Sequence, residues 1–244
     1  MLVFCTLHLT LYTLDVVYGE QRDRFVFTQV KYAGEWDPYP EVYREVLRFL
    51  HLTTSAKIYS ERRVVSLTDR LLFLSPFLIL LGKSEFTPFS KEEVKNLRLF
   101  LENGGTLFID DVSGQKGVGF DRTIRQELLR ILPEGEWVKI PQNHAIFRSF
   151  YLLRTIGGRR IVNNYLEGIN LDGRTVVIYS QNDLFGAWLR DRIGNYFYTC
   201  LPGGEQQRAE AIKLTANIIL YGLTGTYKTD YIHRPFIEEK LRRR

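Results

Sequence analysis

The sequence predicts a three-layer α/β/α domain built on a mostly parallel sheet of about five core strands. Short runs of β-branched and aromatic residues alternate along the chain with segments in which apolar residues recur at helical spacing. Such alternation is typical of a parallel sheet with helices on both faces. The length of 244 residues and the hydrophobic content of 45% suit one domain with a full core. We therefore expect a single α/β domain over residues 24–235.

The expected strands are short and strongly apolar, as strands buried between two helical layers must be. The run from residue 71 to residue 81 is interrupted by Pro76, but its composition otherwise favours a strand buried on both faces. The predicted strands and extended segments are residues 25–30, 56–65, 71–81, 106–109, 138–140, 168–171 and 174–180.

Local signals mark the ends of the predicted helices. Pro40 suits the first position of a helix, because its fixed φ angle is already helical. Ser90 with Glu93 forms a capping box, and Asn103-Gly104 forms a left-handed C-cap. Asp121 is the expected N-cap of the next helix. The predicted helices span residues 40–50, 91–102, 122–132 and 205–223.

The first 19 residues are largely apolar and precede a charged stretch. Val17 and Gly19 are small enough for cleavage by signal peptidase after Gly19. The absence of lysine and arginine before this point, and the interruptions at His8 and Asp15, argue against a signal peptide, and the alternative is a buried N-terminal strand or an uncleaved anchor. We expect residues 1–19 to be a signal peptide or apolar leader, and hence a periplasmic or otherwise exported protein. No other stretch has the length of a membrane span, so no transmembrane helix is expected in the mature chain.

Charge and cysteine content narrow the class of partner. The formal net charge is +5, and part of it lies in a basic tail, residues 236–244. Such a tail is usually solvated, with contact to anionic lipid or nucleic acid as the alternative. No basic stripe interleaved with aromatic residues occurs elsewhere, so nucleic-acid binding is not expected. Cys5 and Cys200 are too few for a disulfide framework or a cysteine-based metal cluster.

Polar residues follow three of the predicted strands. Trp36-Asp37 follows the first, Asp110 and Asp111 end a central one, and Asn182-Asp183 follows the last. The carboxyl ends of parallel strands share one edge of the sheet, where open α/β sheets bind ligands. Because side chains alternate along a strand, at most one of Asp110 and Asp111 should face a pocket there. A carboxylate at this edge could bind a metal or act as a general acid or base; alternatively, it caps a loop or pairs with an arginine such as Arg122.

A larger set of residues follows as site candidates. The catalytic candidates are Asp110, Asp111, His144 and Asp183. The candidates for ligand binding are Trp36, Asp37, Asp111, Asp121, Arg122, Asn143, His144, Asn182, Asp183 and His233. The sequence contains no phosphate loop, no dinucleotide fingerprint, no nucleophile elbow and no zinc-type histidine pair. No cofactor is therefore expected, although the carboxylates would allow a divalent metal.

Several of these segments together resemble a bacterial family of domains of unknown function, DUF4159. The resemblance rests, in chain order, on residues 30–32, 36–40, 75–78, 104–111, 120–121, 143–147, 166–169, 180–183 and 227–228. It implies a class I glutamine-amidotransferase fold with a flavodoxin-like sheet. It also implies export and a role in envelope assembly beside MoxR-type ATPases and von Willebrand A-type proteins.

The resemblance to amidotransferases does not extend to catalysis. That reaction needs a cysteine in an elbow after a strand, with a His-x-Glu pair. Cys200 lies in Tyr198-Thr199-Cys200-Leu201-Pro202, and none of the four histidines has that spacing. Amidotransferase activity is therefore not expected, and fold similarity does not by itself supply another reaction.

Two hypotheses follow. The first is a non-catalytic binding or assembly module of the cell envelope that uses the carboxyl edge of the sheet. The second is a metal-assisted hydrolase that uses Asp110 or Asp111 with His144. Carboxylates of Asp111 and Asp183 within about 5 Å of the His144 ring would favour the hydrolase. Arginines that neutralise these carboxylates would favour the binding module.

Overall fold

The computed structural model describes residues 24–224, so the expectations for the leader, the basic tail and His233 lie outside the described residues. Within this range the chain forms seven strands and four α-helices. The strands are β1 (Phe25–Lys31), β2 (Ile58–Ser66), β3 (Phe77–Gly82), β4 (Thr106–Asp111), β5 (Glu136–Lys139), β6 (Glu167–Leu171) and β7 (Arg174–Ser180). The helices are α1 (Val42–Thr53), α2 (Lys91–Glu102), α3 (Gly119–Ile131) and α4 (Gly204–Thr224). None of these helices has the length and apolar character needed to cross a membrane.

The strands form one sheet with the order β2-β1-β3-β4-β7-β6-β5. The first five strands of this order are parallel. β6 runs antiparallel to β7, and β5 runs antiparallel to β6. Numbered among themselves, the parallel strands have the order 2-1-3-4-5, a doubly wound arrangement. The mostly parallel sheet is confirmed, and the antiparallel pair β5 and β6 brings the strand count to seven rather than about five.

Helices cover both faces of the sheet. Phe27, Ile79 and Phe108 pack against α1 and α4, in one apolar cluster. Leu78 and Leu80 pack against α2 and α3, in a second cluster on the opposite face. Neighbouring residues of one strand thus enter different helical layers, because side chains alternate across a strand. The α/β/α layering predicted from the sequence is confirmed.

The predicted signals at α2 hold in the structure. The Ser90 hydroxyl accepts a hydrogen bond from the Glu93 N–H at 3.2 Å, and the Glu93 carboxylate accepts one from the Ser90 N–H at 2.7 Å. Gly104 has a φ of +101°, the left-handed conformation that a helix C-terminus followed by a sharp turn requires. The chain can therefore turn within four residues from α2 into β4, whose carboxyl end carries the two aspartates.

Three local predictions were wrong. Pro40 is not the first residue of α1, which begins at Val42 with Glu41 at the N-cap position. The segment expected to begin a long strand forms instead a 3-10 helix, Arg70–Leu74, which Asp69 caps by accepting from the Leu71 N–H at 2.9 Å. Pro76 separates this turn from β3. Asp121 is not the N-cap of α3, because the helix starts earlier, at Gly119. Its carboxylate instead reaches back from the first turn and accepts from the Gly117 N–H at 2.6 Å.

Candidate functional site

A cleft of about 520 Å³ opens at the carboxyl edge of the sheet. Residues 34–39 form one wall, and Lys83, Val112, Arg159 and Tyr198 complete the lining. The chain leaves β1 toward one side of the sheet and leaves β3 toward the other. Connections that diverge in this way open a crevice, which is where doubly wound sheets bind ligands. The volume lies within the range of small-molecule sites.

Asp110 lies at the base of this edge and is fully buried. Its two oxygens accept hydrogen bonds from the backbone N–H groups of Leu184, at 3.0 Å, and Phe185, at 2.9 Å. These bonds hold the short 3-10 turn Phe185–Ala187 beneath the sheet edge. Burial and the nearby Asp183 carboxyl raise the pKa of Asp110 to about 8, because both disfavour its charged form.

Asp183 lies in the loop after β7 with a φ of +53° and is also fully buried. It accepts hydrogen bonds from the Tyr39 hydroxyl at 3.0 Å, from the Gly186 N–H at 2.9 Å and from the Nε of Arg159. Burial raises the pKa of Asp183, while the Arg159 guanidinium and the other donors oppose that rise. We call Asp110, Asp183, Arg159 and Tyr39 the Arg159 cluster.

Arg159 is placed by a close backbone approach. Gly158, with a φ of +154°, passes so near the loop after β7 that a Cβ here would lie 2.3 Å from the Asn182 carbonyl oxygen. The Arg159 N–H then donates to the Asp183 carbonyl at 3.0 Å. The guanidinium lies over the Tyr198 ring, 4.8 Å from its centroid, and its side chain is 14% exposed. The arginine thus connects the buried carboxyl of Asp183 to the cleft.

The loop after β1 supplies the aromatic wall of the cleft. Trp36 and Asp37 both line the cleft, as two residues of the predicted ligand-binding set. Arg62 holds Asp37 by two hydrogen bonds of 2.7 Å, and Gln29 bonds to both partners at 2.9 and 3.3 Å. Asp37 is therefore neutralised by a partner from the neighbouring strand β2, and Trp36 presents a ring beside it.

Asp111 points to the opposite face of the sheet from Asp110, as the strand pleat predicts. It accepts from the Ser113 N–H at 2.8 Å and lies 3.3 Å from the Tyr179 hydroxyl. Tyr179 also donates to Asp121 at 2.8 Å. Burial raises the pKa of Asp111 to about 6. Asp111 thus caps the loop of residues 113–119, whereas Asp110 accepts from two backbone N–H groups rather than from an arginine.

The groups around Asp111 form a second cluster. Arg125 donates to Asp121 at 2.7 Å and to Glu167 at 2.5 Å, and it lies over the rings of Trp137 and Tyr179 at 4.5 and 5.2 Å. We call Asp111, Asp121, Glu167, Arg125 and Tyr179 the Arg125 cluster. It ties α3 to β4, β6 and β7 on the face opposite the Arg159 cluster.

His144 lies far from both aspartates of β4. Its Nε2 is 3.2 Å from the hydroxyl of Thr175, at the amino end of β7, and its Nδ1 accepts from the Ile146 N–H at 3.2 Å. Ser180, at the carboxyl edge, lies five residue steps along β7 from Thr175, which is about 16 Å. The structure therefore does not bring His144 to Asp111 and Asp183, and the geometry required for the predicted hydrolase is not formed.

The other predicted site residues within the described range form hydrogen bonds or ion pairs with the protein itself. The Asn182 side chain is buried and accepts from the N–H groups of Val162 and Asn163 at 2.9 and 3.0 Å. Arg122 forms an exposed ion pair with Glu85 at 3.0 Å and neutralises none of the strand-end carboxylates. Asn143 precedes His144 at the amino edge, where its carbonyl accepts from Arg148. These residues do not line the cleft.

Of the residues that line the cleft, the sequence analysis named Trp36 and Asp37 and missed the others, among them Tyr39, Lys83, Arg159 and Tyr198. The signal for Arg159 was present as Gly157-Gly158 before a pair of arginines, a pattern that places cationic side chains beside a close backbone approach. No comparable signal marked Lys83 or Tyr198, because each is a common residue at the end of an ordinary segment.

Neither a nucleophile elbow nor a metal cluster stands at this edge in the part of the chain that the structure describes. Cys200 is buried, lies outside any turn that follows a strand, and has a thiol pKa raised by burial. Across residues 24–224 no group of three histidine, cysteine, aspartate or glutamate side chains is arranged to hold a metal ion. The divalent metal considered above stays a prediction.

Comparison with known proteins agrees with the resemblance carried by the motifs. No curated protein matches the chain. The family model of the domain of unknown function DUF4159 matches residues 26–223, which extend from β1 to the last turn of α4. The match covers both clusters and the whole cleft. The chain therefore belongs to the DUF4159 family of domains of unknown function.

Proposed function

We propose that the protein is a non-catalytic binding or assembly module of the bacterial cell envelope, and that the cleft beside Arg159 is its ligand-binding site. One observation carries this proposal: the carboxylates at the sheet edge are held by the protein's own donors. Asp110 accepts from two backbone N–H groups, and Asp183 is paired with Arg159 and Tyr39. These carboxylates hold loops in place around an open cleft, which is a structural rather than a catalytic role.

The proposal includes a fold like that of class I glutamine amidotransferases without their catalytic cysteine. The parallel strand order 2-1-3-4-5 and the helical layers on both faces support this likeness. The position of Cys200, buried outside an elbow, supports a function other than amide hydrolysis.

Export and envelope partners form a separate part of the proposal. They are supported by the apolar character of residues 1–19 and by the family resemblance, which implies neighbours such as MoxR-type ATPases and von Willebrand A-type proteins. Fractionation of cells that carry the tagged full chain, with and without residues 1–19, tests it. We expect the full chain outside the cytoplasm and the truncated chain inside. A full chain found only in the cytoplasm contradicts this part.

The binding site is tested by ligand-observed NMR with a library of small acidic, basic and neutral compounds. We expect some compounds to bind wild-type protein, to bind at least fivefold more weakly to Trp36→Ala, and to stay chemically unchanged over a day. Phe73→Ala is the matched control, because Phe73 is a 46% exposed aromatic residue on the 3-10 helix Arg70–Leu74, outside the cleft. Binding that ignores Trp36→Ala, or turnover of a bound compound, contradicts the proposed function.

A further inference from the structure

We propose that the cleft recognises a ligand with a single anionic group, a carboxylate or a phosphate, attached to a planar or apolar body. Arg159 and Lys83 would bind the anionic group, and Trp36 and Tyr198 would pack against the body. This inference rests on the proposed function, because it names the class of ligand for the same cleft.

Arg159 is prepared for this role by the bonds it already makes. Its Nε donates to Asp183, and one of its terminal nitrogens lies 3.4 Å from the Val112 carbonyl, a long contact. The other terminal nitrogen has no hydrogen bond to any residue between 24 and 224. Asp183 on one side and the Tyr198 ring on the other hold the guanidinium plane in place. A guanidinium fixed with its end toward a cleft is suited to two parallel hydrogen bonds with a carboxylate or phosphate.

Arg125 differs from Arg159 in the number of carboxylates that its guanidinium contacts. All three of its nitrogens reach carboxylates of the chain, at 2.7 Å for Asp121 and at 2.5 and 3.4 Å for Glu167. Each nitrogen of Arg125 is therefore bonded to a carboxylate, and its charge is neutralised by Asp121 and Glu167. Arg159 faces one carboxylate and an open cleft, so its remaining donors point to a partner that the chain does not supply.

Lys83 adds a second cation to the cleft. It follows β3, is exposed, and forms no ion pair within the described part of the chain. The acidic groups of the lining are Asp37 and Glu35. Asp37 is neutralised by Arg62. An incoming anion therefore meets Lys83, which has no ion pair among the described residues, and Arg159, which is paired with Asp183 but keeps unused N–H donors. Glu35 is the acid of the lining that has no cationic partner among the described residues.

Glu35 limits the charge of the ligand. It is exposed at the rim, where its carboxylate accepts from the Ser84 hydroxyl at 2.5 Å. A second anionic group on the ligand would meet this carboxylate, and like charges at short range disfavour binding. The arrangement therefore favours a ligand with one anionic group over a polyanion. The rings of Trp36 and Tyr198 provide a surface for the uncharged remainder.

The test uses four ring compounds of similar size: benzoate, phenyl phosphate, benzamide and benzylammonium. Affinities are measured by NMR titration at low ionic strength, since screening weakens exposed ion pairs. We expect benzoate, phenyl phosphate or both to bind at least tenfold more tightly than benzamide and benzylammonium. The two acidic compounds distinguish carboxylate from phosphate as the preferred group.

Two variants assign the effect to the cations. We expect Lys83→Ala to weaken binding of the preferred acid three- to tenfold, whereas the matched control Lys95→Ala, an exposed lysine of α2, leaves it unchanged. Arg159→Lys keeps a cation for Asp183 but removes the planar donor pair, and we expect at least a tenfold loss. Lys83→Ala does not depend on the folding of the Arg159 variant, because its side chain is exposed.

Outcomes separate this inference from the proposed function. If library compounds bind in a Trp36-dependent way but benzamide or benzylammonium matches the acids, or Lys83→Ala has no effect, the anion inference is wrong and the binding cleft stands. The same conclusion follows if none of the four ring compounds binds while library compounds do. If no compound of either set depends on Trp36, both proposals are wrong.

Discussion

The Arg159 cluster and the Arg125 cluster lie on opposite faces of the same sheet edge and contain the same kinds of groups. Each has two aspartates, an arginine and a tyrosine, and each begins at one of the two adjacent aspartates of β4. They differ in how the arginine is used. Glu167 accepts hydrogen bonds from the terminal nitrogens of Arg125, whereas no acidic residue between 24 and 224 takes this place beside Arg159, which lines the cleft. Similar groups thus cross-link secondary-structure elements on one face and, in the proposed function, bind a ligand on the other.

The number of carboxylates around an arginine determines whether its guanidinium is only a cross-link or can also bind a ligand. A guanidinium with two carboxylates and two aromatic rings around it is a fixed cross-link between secondary-structure elements. A guanidinium with one buried carboxylate behind it is held in one orientation but keeps N–H donors for a ligand, which is the arrangement of a preorganised binding group. Substitutions in the two clusters should therefore affect stability and ligand binding differently.

Arg125→Ala should lower the free energy of unfolding by about 3 kcal/mol, because it leaves Asp121 and Glu167 as partly buried charges without a partner. Urea denaturation measures the effect. The control is Arg122→Ala, which removes an arginine of the same helix from an exposed ion pair and should change stability by about 0.5 kcal/mol or less. Equal losses in the two variants would contradict the role assigned to the Arg125 cluster.

Stability should fall as pH rises between about pH 6 and pH 8. Folded Asp110 keeps its proton up to a pKa of about 8, whereas the unfolded chain releases it near 3.8. The folded state therefore binds more protons in this window, and the free energy of unfolding declines by up to about 1.4 kcal/mol per pH unit. Below about pH 6 Asp111, with a pKa of about 6, contributes with the same sign.

Asp110→Asn should flatten this pH dependence, as measured by urea denaturation across the window. Asp172→Asn removes one carboxylate at an exposed turn position, also with a positive φ of 49°, and should leave the dependence intact. A slope that survives Asp110→Asn would mean that another group holds the proton.

Tyr39→Phe and Tyr179→Phe should each cost about 1–2 kcal/mol of stability, because each removes a hydroxyl that donates to a buried carboxylate. Their effects on ligand binding should differ. Only Tyr39→Phe should change the affinity for the preferred anionic probe, since Tyr39 lines the cleft and holds Asp183 behind Arg159. A matching change in Tyr179→Phe would show that the two clusters are coupled through β4.

Lys83→Ala should have the smallest effect on stability, about 0.5 kcal/mol or less, because the side chain is exposed and makes no ion pair among the described residues. Thermal denaturation is a sufficient measurement. A clear loss of stability would assign Lys83 a structural role and would weaken its assignment to the ligand.

Much of the fold could be predicted because its signals are local. Apolar runs marked β1, β4 and β7, and the capping box at Ser90 marked the start of α2 with the correct residues. The error at residues 71–74 arose because composition alone does not distinguish an apolar strand from an apolar turn that ends at a proline. The early start of α3 was missed because aspartate is favoured both at the N-cap and in the first turn of a helix; here Asp121 lies in the first turn and accepts from the Gly117 N–H, which precedes the helix.

The candidate site was predicted in part. Trp36 and Asp37 line the cleft, and Asp110 and Asp111 diverge to opposite faces, as strand geometry alone requires. The grouping of His144 with the aspartates was wrong, since a turn after β5 leads to the amino edge rather than the carboxyl edge. No local pattern reports the edge to which a long connection returns.

Residues close together in the chain specify the alternation of strands and helices, the caps of α2, and the paired carboxylates at the end of β4. These properties depend on residues within a few positions of one another. By contrast, the tertiary fold sets the pairing of Asp183 with Arg159, 24 residues away, and with Tyr39, 144 residues away. Such pairings depend on the order of strands in the sheet, which brings distant loops to one edge. As a result, Arg125 is neutralised by two carboxylates, whereas Arg159 faces a cleft.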